Sequence, residues 1–359
     1  MNYEDPWISE SIELENQRFQ EKYPGIKRKV LLVGGGGYIG ISIAKDIASN
    51  GIEVMILDNF IYGHNKAILT LLLFDNIQYF QHDIRKELDV DFYSKNQITD
   101  VVILAGLVGD PITKKYPNLS SEINNSGIKN FITQANNNKL NKVIFISTCS
   151  NYGLISDGEK ADEEFPLNPL SLYAEDKVRN ENFLISNKEN FDFSATILRF
   201  ATAFGASPRM RFDLTVNEFV HDAFSKKHLE VYDPDTWRPY CHVRDFSNLI
   251  QRVLEIEVSR TDFEIFNAGG DRNNLTKRNI VEIIATHIPD LMVDFVSGGS
   301  DPRNYIVDFS KVKTQLCFEP IWSVEDGIKE IINLLEQGLY LDLKKDKDFY
   351  GNYNIENGS

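Results

Sequence analysis

"KVLLVGGGGYIG", residues 29–40, passes from an apolar run into a cluster of glycines and then into "ISIAKDIASNG", whose apolar residues recur at helical spacing. Glycines at 34, 37 and 40 allow a tight turn, a close approach of backbone to a pyrophosphate, and close packing of the new helix on the strand. The helix N-terminus turns its unpaired N–H groups toward the phosphates. The stretch therefore predicts a bound dinucleotide held by Gly34, Gly37 and Gly40, with Tyr38 and Ile39 in the same turn.

Working outward, strand-like and helix-like blocks alternate. "EVMILD" (53–58), "IQYFQHD" (77–83), "DVVILAG" (100–106), "KVIFIS" (142–147) and "FSATILRF" (193–200) read as further strands, several apolar on both faces, with helical periodicity between most of them. Buried strands alternating with helices predict an α/β fold, a Rossmann-type doubly wound parallel sheet. From about residue 205 the pattern loosens into "ASPRMRFD", "DPDTWRPY", "NAGGDRNN" and "VSGGSDPRN". The expected division is an N-terminal extension over 1–28, a helix or strap on the body, followed by a dinucleotide-binding domain over 29–204. A smaller C-terminal α/β substrate-binding region over 205–338 is partly interleaved with the sheet, and 339–359 reads as a polar, partly disordered tail.

The second strand ends in Asp58, 24 residues after Gly34, where a carboxylate can accept hydrogen bonds from both adenosine ribose hydroxyls and repel a 2′-phosphate. NAD is favoured over NADP. Asn59 adjoins it. Asp83, with Ile84 after it, either meets the adenine or simply closes the third strand.

With 359 residues and a formal charge of −15, the chain can bury a large core and is ill suited to nucleic acid or an anionic membrane. No apolar stretch approaches the roughly 20 residues of a spanning helix, and "MNYEDPWISESIELE" lacks the layout of a signal peptide. Cys149, Cys241 and Cys317 form no C-x-x-C pair, so neither a disulfide framework nor a metal site is expected. A cytoplasmic protein is the expectation.

The spacing G-x-x-G-x-x-G, followed by "LDNF", "DIR", "LAG", "NNSGIKN", "STCSNYG", "YAEDK", "LRFATAFG", "RPYCHVRD" and "DPRNYIVDFSK", resembles the extended short-chain dehydrogenase/reductases, specifically the nucleotide-sugar epimerase/dehydratase family, from about Lys29 to Ile332. The resemblance implies that Leu104, Ala105, Gly106 and Asn124 also line the cofactor site, and that the protein is a homodimer. Val33 stands where relatives often carry Thr, and Thr202 where many carry Asn.

"YAEDK" places Tyr173 and Lys177 one helical turn apart on a shared face. For a tyrosine to act as base at neutral pH its pKa must fall by about 3 units, which an adjacent ammonium and oxidised nicotinamide could supply. Both residues are also expected to touch the cofactor. By resemblance, Thr148 in "STCSNYG" is the hydroxyl that bonds the substrate alcohol. Dehydratases carry an Asp-Glu pair at the positions of Cys149 and Ser150; here there is neither, so dehydration is disfavoured. Relatives that epimerise beside a keto group use a Cys where this chain has Ser150, so Cys149 is expected to pack rather than react.

What remains fits reversible oxidation of a secondary alcohol. A sugar C4–H is not acidic, so inversion proceeds by removing hydride to NAD, turning the flat ketone and returning hydride to the other face. The leading expectation is NAD-dependent C4 epimerisation of a nucleotide-diphosphate sugar. A one-way 4-dehydrogenase or 4-ketoreductase, or a non-catalytic nucleotide-binding protein, stay open. Arg238 matches the family's phosphate-binding arginine, and Arg209, Arg211, Asp213, Asn217 and Arg303 are candidate substrate contacts. His242 is expected to be structural.

Overall fold

The computed structural model describes residues 6–156, 158–299, 301–340 and 349–355. Seven parallel strands form the central sheet: β1 (Lys29–Val33), β2 (Glu53–Asp58), β3 (Ile77–Gln81), β4 (Asp100–Ile103), β5 (Lys142–Thr148), β6 (Ser194–Phe200) and, after three strands of smaller sheets, β10 (Glu264–Ala268). Their order is β10-β6-β5-β4-β1-β2-β3. Val33 lies opposite both Leu57 and Ile103, so Gly34, Asp58 and Leu104 leave the sheet side by side at its carboxyl edge. At that edge an α/β sheet offers a crevice for a ligand.

Alternation along the strands explains the layering. Val30 and Leu32 of β1 join one core with Ile41 and Ile47 of α2 (Tyr38–Ser49) and, across the chain, Phe246 and Leu249 of the helix at Val243–Glu255. Leu31 and Val33 join the other core with Phe131 and Ile132 of α3 (Ile128–Ala135) and Leu184 of α4 (Leu172–Ser186). Both faces are covered, which is why these strands read as continuous apolar runs. The exception is β3, exposed from Gln78 to Gln81, because it is the sheet's edge.

The chain after 205 builds a third core from the helices Thr215–Lys226, Lys277–His287 and Val324–Glu336. It also contributes β10 and the helix Val243–Glu255 to the main sheet. Two small sheets complete it: β7 (Thr202–Phe204), β9 (Trp237–His242) and β11 (Asn274–Thr276), and β8 (His228–Tyr232) with β12 (Met292–Val296).

The extension is a helix, α1 (Pro6–Lys22), burying Ile8, Ser11, Glu15 and Phe19 on one face. Glu15 is fully buried. It accepts from Arg18 at 3.0 Å, Arg28 at 3.2 Å and Asn141 at 3.1 Å, and pairs with Lys142 at 3.3 Å. Burial acts to raise its carboxyl, and these cations outweigh it and hold it below the usual range. Of the polar tail, residues 339–340 and 349–355 are described, and the stretch 349–355 packs against the body, where the Phe212 N–H donates to Tyr350 O at 2.8 Å. Residues 1–5, 341–348 and 356–359 lie outside the described residues. No described helix is long and apolar enough to cross a membrane.

Candidate active site

The carboxyl edge of the sheet opens into a cleft of about 590 Å³. On its floor the turn at Gly34 has φ +78°, and a Cβ there would lie 2.6 Å from Ala105 Cα. The turn delivers α2, whose N-cap Gly37 supplies no side-chain cap, so the first N–H groups point to the cleft. Asp58 Oδ2 accepts the Gly36 N–H at 2.9 Å and Oδ1 the Phe60 N–H at 2.8 Å, which fixes the carboxylate beside the turn. Beyond Asp58, His64 and Tyr62 line the cleft. Among the described residues neither ring nitrogen of His64 nor the Tyr62 hydroxyl has a hydrogen-bond partner, although His64 Nε2 lies 3.7 Å from Asp58 Oδ1. Buried polar groups left open in this way suit a polar ligand that completes them.

Of the residues expected to hold the cofactor, Gly34, Gly37, Tyr38, Ile39, Gly40, Asp58, Asn59, Ile84, Leu104, Ala105, Gly106, Tyr173 and Lys177 line this cleft. Asp83 and Asn124 do not. Asp83 is held by Arg85, with Nη2 to Oδ2 at 2.6 Å, and receives Asn59 Nδ2 at 3.4 Å, just past the end of β3. Asn124 sits behind the wall, accepting the Leu107 N–H at 2.7 Å and donating to Leu107 O at 3.0 Å. It shapes the 104–107 loop without touching the cavity.

Thr148 ends β5 facing the cleft, its Oγ1 accepting the Ser150 N–H at 3.1 Å. Tyr173 stands on α4, capped by Ser171, whose Oγ accepts the Ala174 N–H at 3.3 Å. Lys177 lies one turn on and donates to Ile146 O at 2.6 Å, with Nζ 5.8 Å from the Tyr173 ring centroid. Burial brings its ammonium down to about 8. Burial holds the Tyr173 phenol well above its usual value, with Asp110 and Tyr305 acting the same way and the Arg211 and Arg303 guanidiniums against it.

Cys149 is fully buried, donates to Arg199 O at 3.1 Å, and burial drives its thiol far up. It is a packed residue. Ser150 instead reaches the cleft, 3.3 Å from the Tyr305 hydroxyl.

The far wall carries arginines. Arg211 forks onto Asp213 at 2.9 and 2.6 Å. Arg303 forks onto Asp301 at 2.7 and 2.8 Å and meets Asp110 at 3.1 Å, while Arg238 meets the same Asp301 at 3.1 Å. Burial works to raise the Asp301 carboxyl, and the two guanidiniums hold it far below the usual range. Arg209, Arg211, Asp213, Arg238 and Arg303 all line the cleft. Asn217 does not: it accepts the Gly205 N–H at 3.1 Å and donates to Tyr38 Oη at 3.1 Å, tying the loop to α2. His242 is fully buried, 2.9 Å from Glu330, consistent with a structural role.

Sequence reading did not find Tyr62, His64, Asp110, Asp301, Tyr305, Asn352 or Tyr353, all of which line the cleft. Asp301 sits two residues before Arg303, a spacing that could have signalled a local fork. The tail residues carry no local signal.

Residues 30–269 match the family described as the NAD dependent epimerase/dehydratase family. Among curated relatives, the UDP-glucose 4-epimerase of Lacticaseibacillus casei is 26% identical over 329 residues, covering 84% of this chain and 94% of that protein. The UDP-glucuronic acid decarboxylase 1 of Xenopus tropicalis is 23% identical over 350 residues, covering 92% and 79%. Among solved structures, the UDP-glucuronic acid 4-epimerase of Bacillus cereus, in complex with UDP-glucuronic acid and NAD, superposes with a TM-score of 0.77 at 24% identity, covering 86% of this chain and 99% of that one. The glycine turn, the Asp58 carboxylate and Thr148, Tyr173 and Lys177 line one cleft, and the match runs through all seven strands of the central sheet: the chain belongs to the NAD dependent epimerase/dehydratase family.

Proposed function

We propose that this chain inverts C4 of a nucleotide-diphosphate sugar through a transient 4-keto sugar, with NAD regenerated in each turnover. The observation that carries the reading is the convergence of Thr148, Tyr173 and Lys177 on the cleft that holds the glycine turn and Asp58, with a buried thiol and a serine where a dehydratase has carboxylates. NAD fits the cleft's open donors at His64 and Tyr62 and the uncapped N-terminus of α2, and when bound it supplies hydride acceptance, hydride return and a cationic ring.

The residues then divide the work. Thr148 hydrogen-bonds the C4 hydroxyl and orients it. Tyr173 takes the hydroxyl proton on its phenolate as the C4 hydrogen leaves, and gives it back on the return step. Arg211 and Arg303 stabilise that phenolate. Lys177 fixes α4 against the end of β5, which keeps Tyr173 beside Thr148. Arg238 and Arg303 hold the sugar-nucleotide's phosphates, releasing Asp301 from part of its present pairing. The turned ketone then presents its other face for the return of the hydrogen. A cytoplasmic homodimer belongs to the same proposal and rests on family resemblance.

The test is incubation of the purified protein with UDP-, GDP-, CDP- and dTDP-sugars. A C4-inverted product without net reduced nicotinamide supports the epimerase; accumulation of reduced nicotinamide identifies a one-way dehydrogenase instead.

A further inference from the structure

Arg209 is 2% exposed, and among the described residues no carboxylate pairs with it. Its Nη2 donates to Asn352 Oδ1 at 2.8 Å and to Gly351 O at 3.3 Å, and its Nε has no partner. Burial and the neighbouring Arg211 bring the guanidinium down to about 10. Asp213 and Asp58 act on it only from beyond ion-pair distance, and a buried cation without a paired carboxylate is costly unless a ligand supplies the charge.

Its position says which ligand. The loop that carries Arg209 is bolted to the first residue of α2: Ser207 Oγ donates to Tyr38 O at 2.7 Å, and Tyr38 Oη donates to Gly205 O at 2.5 Å. The guanidinium carbon lies 5.3 Å from the Tyr62 ring centroid, Tyr62 is 6.0 Å from the His64 ring, and His64 reaches toward Asp58. The loop is thus tied to the first turn of α2, and the Arg209 side chain stands beside the wall made by Tyr62, His64 and Asp58 on the cofactor's side of the cleft. Arg211, Arg238 and Arg303 each already have a carboxylate partner.

The tail holds Arg209 there. Asn352 is 6% exposed, and besides accepting from Arg209 it donates through Nδ2 to Val108 O at 3.0 Å and through its N–H to Asp213 Oδ2 at 3.2 Å. Lys115 adds a bond to Asn354. Residues 349–355 therefore run as a strap from the loop after β4 to the loop carrying Arg209 and Asp213.

We propose that Arg209 pairs with the pyrophosphate of the dinucleotide from the side opposite α2, and that Asn352 is the positioning residue through which the C-terminal strap retains the cofactor between turnovers. The inference rests on the NAD-dependent reading and moves Arg209 from the substrate to the cofactor. It also gives a physical reason for NAD to stay bound while substrates come and go.

The test uses full-length chains: parent, Arg209→Leu, Asn352→Ala and Asn352→Asp. Three quantities are read: nicotinamide released on denaturation, the dissociation rate of NAD from reloaded protein, and the affinity for UDP as a probe of the substrate side. Arg209→Leu and Asn352→Ala are expected to weaken NAD about tenfold or more, one charge-assisted hydrogen bond's worth, with UDP affinity within about twofold of the parent. Asn352→Asp keeps an acceptor for Arg209 but places a carboxylate in competition with the pyrophosphate. It is expected to weaken NAD at least as much as Asn352→Ala, whereas an asparagine that only ties the strap to Val108 O would lower thermal stability in both variants and leave NAD dissociation unchanged. Unchanged NAD affinity in Asn352→Ala, or loss of UDP affinity instead of NAD affinity in Arg209→Leu, overturns the proposal. If Arg209→Leu does not fold, the two Asn352 variants decide. A parent chain that binds no NAD overturns the cofactor reading itself.

Discussion

Lys177 gives its ammonium to the Ile146 carbonyl at 2.6 Å, while Tyr173, one helical turn before it, faces the cleft with Arg211 and Arg303 acting on its phenol. The lysine is a tether between α4 and β5, and its charge is what makes the tether strong. Tyr173→Phe is accordingly expected to lower kcat by roughly 10² to 10⁴ with substrate affinity changed only a few-fold, measured by steady-state turnover and equilibrium binding.

The tether sets a pH limit. The Lys177 ammonium is brought down to about 8, so its charge is present below that pH and lost above it. kcat/KM is therefore expected to fall as pH rises through about 8 and the tether loses its charge. Lys177→Arg keeps its charge far above this range, and its basic limb should move up or vanish in a pH 6–10 profile.

Gly34 allows no side chain. Its φ of +78° costs another residue about 1–2 kcal/mol, and a Cβ would sit 2.6 Å from Ala105 Cα. Gly34→Ala is expected to lower thermal stability by at least that amount and to reduce the nicotinamide released on denaturation.

Glu15 anchors α1 through a buried ionic cluster. Glu15→Ala leaves Lys142 buried without its carboxylate and is expected to cost about 3–5 kcal/mol in urea denaturation at pH 7; Glu15→Gln should cost less. Because the folded carboxyl lies below its usual value, its contribution is full above that value and is lost as pH falls through the folded one. The gap between parent and variant should therefore close in acid.

Cys149 tests the packed-thiol reading. Cys149→Ala is expected to keep kcat within about twofold and to cost about 1 kcal/mol of stability, and the parent thiol should resist thiol reagents until the protein unfolds.

The strands β1, β2, β4, β5 and β6 were legible because burial on both faces makes their residues uniformly apolar. β10 was not, since "EIFNA" is short, contains a buried Asn267, and gains its place only by pairing with β6. In the site, glycine spacing and the Tyr-Lys interval are local and could be read directly. Asp83, Asn124 and Asn217 are harder: each has the chemistry of a ligand contact, and Arg85, Leu107 and Tyr38 satisfy it from inside the fold. The Arg209–Asn352 contact joins residues far apart in the chain, which no local pattern encodes.

The central claim is that one hydrogen leaves C4 and returns to the opposite face of the same sugar. The most direct measurement uses an accepted nucleotide sugar carrying deuterium at C4, with the product analysed by NMR and the protein by absorbance. Retention of deuterium at the inverted C4, without exchange with solvent and without net reduced nicotinamide, is the predicted result. Loss of the label to water, or stoichiometric reduced nicotinamide with an accumulating ketone, would contradict it.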